Sequence, residues 1–184
     1  MLIRRVVTGH DNNGRSVLVS DGAPPRTVSF RSIPGHAFAQ VWTTPPSPVV
    51  PAGNADPTEG QVNLLPPAGG TSLLIVTFPP DSTMSAPGFD PLAAGEECIA
   101  RMPDLARTFE PDCPGMHRTD TVDYAIVLSG EVWLEVDDGK QTLLRPTDVV
   151  VQQGARHAWR NRSETPATVA FFMVGASRQK VGEA

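Results

Sequence analysis

The chain has 184 residues, 40% of them hydrophobic and 19% charged, with a net charge of −5. That length suits one domain with one core, and no apolar run approaches the length a membrane-crossing helix needs. The acidic balance and scattered Lys and Arg exclude a nucleic-acid phosphate backbone as the main partner, because such binding draws its affinity from clustered cations.

The amino-terminal run MLIRRVVTGHDNNGRS lacks an apolar h-region and a small-residue cleavage site, so the expected location is cytoplasmic. From Leu2 to Thr44, Ile3–Thr8, Ser16–Ser20 and Ala37–Thr43 are β-prone, separated by turn chemistry at Asp11-Asn12-Asn13-Gly14 and Asp21-Gly22-Ala23-Pro24-Pro25. They predict an opening hairpin and a third strand. Over 45–67 the prolines at 46, 48, 51, 57 and 66 deny the backbone its donors, which predicts an extended arm or lid. Ser72–Phe78 is an apolar β-branched run ended by Pro79-Pro80, hence a core strand. Pro91–Arg101 carries helix signals at both ends, with proline at the start and Arg101 before Pro103 at the finish, and Asp104–Phe109 predicts a second helical turn. Beyond Asp123 strands are predicted at Tyr124–Leu128, Val132–Val136, Thr142–Leu144, Val149–Gln152, His157–Asn161 and Thr168–Val174. Short strands at such close spacing describe an antiparallel sandwich or barrel. The division expected is amino-terminal strands over 1–44, the proline arm over 45–67 and a barrel core over 70–176.

Alternation puts His117 and Thr119 on one face, with Asp123 after a short break; His157 shares its own face with Trp159 and Asn161. If the sheet curls these faces together, two imidazoles and a carboxylate make the ligand set of a non-haem iron site, acceptable also to Zn, Mn or Ni. Spacing alone equally allows each histidine to be a polar residue satisfied by a neighbour. His10 and His36 read as surface or strand-edge residues, and Cys98 and Cys113 as plain thiols. Tyr124 should point away from Asp123. Arg156, Arg160 and Arg162 flank His157 and would favour an anionic substrate if they faced a cleft.

Two stretches resemble the cupin superfamily, whose first motif is G…HxHxxxE…G and whose second is G…PxGxxHxxxN. His117-Arg118-Thr119, Asp123 and Gly130 match the first, and Gln152-Gln153-Gly154, His157 and Asn161 match the second, within PTDVVVQQGARHAWRN. The departures are Thr119 for the second histidine, Asp123 for the glutamate, Gln152 for the proline and Pro146-Thr147 for the opening glycine. The resemblance implies an all-β, antiparallel jelly-roll barrel with a short helical insertion near 91–109. It implies a divalent metal (Fe, Mn, Ni or Zn) held by His117, Asp123 and His157, with Thr119, Trp159 and Asn161 supporting the site or lining its pocket. The activity implied is that of a dioxygenase, decarboxylase or lyase on a small organic metabolite. A metal-free binding or sensing barrel is the alternative, and a barrel that only dimerises, as cupins commonly do, is a third.

Overall fold

The computed structural model describes residues 3–179. Strands β1 (Arg5–His10) and β2 (Ser16–Gly22) form a separate hairpin. Then follow β3 (Arg26–Ser29), β4 (Ala37–Thr44) and β5 (Thr71–Phe78), with the proline-rich arm between the last two. Helices α1 (Pro91–Arg101) and α2 (Pro103–Ala106) precede β6 (Thr121–Ser129), β7 (Val132–Glu135), β8 (Gln141–Leu144), β9 (Val149–Gln153), β10 (Ala158–Arg160) and β11 (Ala167–Gly175). Antiparallel pairing yields a six-stranded sheet in the order β3-β4-β5-β11-β6-β9 and a three-stranded sheet in the order β10-β7-β8. The chain is therefore an all-β jelly roll with a short helical insertion.

The core lies between the two sheets. β6 and β11 alternate along their length: Ala125, Val127, Val169, Phe171 and Met173 are buried, while Tyr124, Ile126, Leu128 and Phe172 on the other face are exposed. Val132 and Leu144 of the smaller sheet, Phe38 and Leu74 of the larger, and Leu64 of the arm complete one apolar cluster. The arm is thus tied down without regular structure of its own. Buried Arg26 donates to Gln40 Oε1 and Asn63 O at 2.7 Å each, and also to Val62 O and Arg101 O. Asp104 Oδ2 accepts from Leu64 N and Leu65 N at 2.8 and 2.7 Å, and Arg5 pairs with Asp56.

Helix α1 starts where the Asp90 carboxylate accepts from Leu92 N and Ala93 N, with proline at its first position. Glu97 accepts from Arg31 N and Ser32 N, which ties the helix to the β3–β4 connection. Three expectations need adjusting. β3 lies outside the predicted strands, because its four residues follow two prolines and its buried position is held by Arg26 in place of an apolar side chain. The opening strand runs to His10, so that exposed residue ends a strand. The second helical turn is Pro103–Ala106, beginning a residue early because proline suits the first helical position.

Candidate active site

The two histidines meet through the main chain. His117 N donates to His157 O at 2.9 Å and His157 N to His117 O at 3.0 Å, outside any regular strand. Directly opposed residues that exchange both hydrogen bonds carry their side chains on one face. The rings accordingly lie 4.3 Å apart, centroid to centroid, with 9% and 3% of each residue exposed. The predicted strand His157–Asn161 is shorter than expected, Ala158–Arg160, and His157 sits just before it.

Each imidazole has its tautomer fixed by the backbone. His117 Nδ1 lies 3.0 Å from Gly115 O, and His157 Nδ1 lies 2.9 Å from Ala155 O. A carbonyl only accepts, so Nδ1 carries the proton and Nε2 of each neutral ring keeps its lone pair. Burial lowers the pKa of both rings; for His157, the neighbouring His117 lowers it further, to about 4. Both are neutral near pH 7. Gly115 holds φ at +82°, a conformation that favours glycine, and Arg160 clamps its loop by donating to Pro114 O at 2.7 Å while pairing with Glu135.

Phe109 packs on His117 at 4.9 Å, and Trp159 bridges His157 at 6.0 Å and Phe171 at 5.2 Å, an aromatic row leading into the core. Asp123 of β6 is 5% exposed. Burial raises its pKa, opposed by a hydrogen bond from Thr121, and its Oδ1 has no partner among the described residues. The Thr119 and Thr121 hydroxyls bond each other at 2.7 Å. Among the described residues no three His, Cys, Asp or Glu side chains gather closely enough to hold a metal ion. The two imidazoles converge, Asp123 does not join them as a third ligand, and threonine stands where the family has an imidazole. This donor arrangement does not fit the three-ligand ion that the resemblance implies.

Asn161 serves the fold and not a pocket. Its Nδ2 donates to Phe78 O and Thr165 O at 3.0 and 2.8 Å, and its Oδ1 accepts from Ser163 N and Oγ at 3.0 and 2.7 Å. The arginines beside His157 are also committed: Arg156 pairs with Glu110 and Asp137 and Arg160 with Glu135. A concavity of about 800 Å³ opens at this end, lined in part by Thr119, Thr121, Gly154, Arg156 and Arg178, but His117, Asp123 and His157 are not on its wall. Arg156 and Arg178 on its wall are both held in ion pairs, with Glu110 and Asp120. His36 packs between Phe30 and Phe78, its Nδ1 3.0 Å from Thr77 O. Cys98 and Cys113 are free, and burial pushes the Cys98 thiol up to about 11.

Gln152 stands where the family's second motif has proline, which gives no hint of a role in a site. In the structure it is 5% exposed and directly opposite Asp123 across β9 and β6, and its Nε2 also lacks a partner among the described residues. Only the strand register reveals that neighbour.

No family model matches the chain. It is similar to the Phomopsin biosynthesis cluster protein C' of Diaporthe leptostromiformis, 32% identical over 168 residues that cover 88% of this chain and 71% of that protein. It is 30% identical over 177 residues to the cupin-domain-containing oxidoreductase srdB of Neurospora crassa, covering 92% of this chain and 72% of the relative. A Cupin 2 conserved barrel domain protein of Salinispora arenicola superposes with a TM-score of 0.39 at 12% identity, over 77% of this chain and 76% of that one. The chain belongs to the cupin-domain family. Among the described residues no helix is long and apolar enough to cross a membrane.

Proposed function

We propose that this protein is a cupin enzyme acting on a small organic metabolite, with His117 and His157 as its proton-handling centre. The observation that carries this reading is the pair itself: two buried neutral rings 4.3 Å apart, each with Nδ1 anchored to a backbone carbonyl. Either Nε2 can accept a proton from a substrate C–H or O–H group, while repulsion between the rings disfavours charging both. In the empty protein His157 is a weak base. Negative charge developing on a substrate beside it restores its proton affinity, so the pair takes up a proton as the substrate gives one up. The relative from Neurospora crassa is named a cupin-domain-containing oxidoreductase, which supports reading this chain as an enzyme.

The test screens phenolic, enolic and carboxylated small molecules by mass spectrometry against the parent protein, His117→Ala and His157→Ala, with elemental analysis of each. Turnover that falls by about 10²-fold or more in both variants is expected. Ligands that raise the melting temperature without turnover would make the barrel a binding module. Stoichiometric divalent metal in the parent that is lost from His157→Ala would replace the reading with a metalloenzyme.

A further inference from the structure

Four buried side-chain atoms lack a hydrogen-bond partner among the described residues: Arg5 Nε, Asp104 Oδ1, Asp123 Oδ1 and Gln152 Nε2. Arg5 and Asp104 are engaged through their other polar atoms and hold the arm. The remaining two fall on residues directly opposed in the β6–β9 ladder. An orphaned buried polar atom is destabilising, so two on opposed residues call for a partner.

We infer that Asp123 and Gln152 form a two-point recognition site for a hydroxyl or enol on an unsaturated small molecule, the hydroxyl donating to Asp123 Oδ1 and accepting from Gln152 Nε2. This rests on the reading of the chain as an enzyme of small metabolites and adds the group by which it holds them. The chemistry follows from the two atoms. A cation would satisfy the carboxylate but cannot accept from an amide N–H, whereas a hydroxyl answers both. Opposed residues on one sheet face have Cβ atoms about 4.5–5.5 Å apart, near enough for one oxygen to serve both side chains. Among the neighbouring inward positions Thr121 is polar, while Ala125 and Met173 are apolar. Met173 pairs with Asp123 across β11, and Phe171, two residues before it on the same face, packs edge-on against Trp159.

The test uses phenol and anisole, which differ by the donated proton, titrated by calorimetry into the parent protein, Gln152→Met and Asp123→Asn, with circular dichroism confirming that each variant is folded. Phenol should bind the parent about tenfold more tightly than anisole. Gln152→Met should lose about tenfold in phenol affinity, with anisole unchanged, and melt at or above the parent temperature because an unsatisfied donor has been removed. Asp123→Asn, which keeps the shape but exchanges the charged acceptor for a neutral amide, should reduce the preference for phenol. The inference is overturned if phenol and anisole bind alike, if phenol binding does not saturate, or if Gln152→Met melts below the parent, since the amide would then be serving the fold through water. Turnover lost in His157→Ala with phenol affinity intact in Gln152→Met would sink the recognition site alone. The reverse pattern would sink the proton-handling pair alone.

Discussion

Replacing Asn161 by alanine separates a structural role from a role in the site. The residue is fully buried and makes four side-chain hydrogen bonds, two as donor to Phe78 O and Thr165 O and two as acceptor from Ser163. At about 1 kcal/mol net for each, the variant should lose about 3–4 kcal/mol. For a chain of this size that corresponds to about 10 °C in melting temperature. Urea denaturation followed by fluorescence reads the first quantity and calorimetry the second. Because the side chain is fully occupied by Phe78 O and the 161–165 turn, ligand affinity measured well below the melting point should stay within about twofold of the parent. A loss of stability below about 1 kcal/mol, or a tenfold loss of affinity in a stable variant, would refute this assignment.

The His157 pKa, depressed to about 4 in the folded protein against an ordinary value near 6.5, means the unfolded chain binds more protons between those values. Stability from this ring is therefore present above pH 6.5 and lost as pH falls toward 4, by up to about 3 kcal/mol; His157→Gln should show a shallower decline in pH-dependent urea melts, and parallel curves would contradict the assignment. Gly115→Ala should cost about 1–3 kcal/mol, since φ is +82° and a Cβ would stand 2.9 Å from Arg160 Nη1. Gly14→Ala, at φ +75° with open space around it, should cost about 1 kcal/mol, and equal losses in the two variants would deny the steric argument. Arg26→Met removes the donor that holds Val62 O and Asn63 O, and limited proteolysis should then cut within 45–67 at least about tenfold faster than in the parent.

The barrel was legible wherever burial imposes a period of two on the chain. β6 and β11 alternate over nine residues each, and α1 announces itself by capping chemistry at both ends. β3 was illegible because its fit comes from Arg26 reaching carbonyls of the arm and helix, contacts remote in sequence. The histidine pair was legible as two members of a motif, though its closeness depends on a main-chain bridge that no spacing encodes. Asp123 stands at the glutamate position of the family's first motif, and the motif alone groups it with the pair. In the fold it faces Gln152 and Met173, whose nearness to it exists only once β6 lies between β9 and β11.

That main-chain bridge gives positions 117 and 157 the character of a socket. Their mutual placement is set by amide and carbonyl groups common to every amino acid, so the rings are tenants of a frame they do not build. Exchanging either tenant changes the reactivity on offer while leaving the address intact.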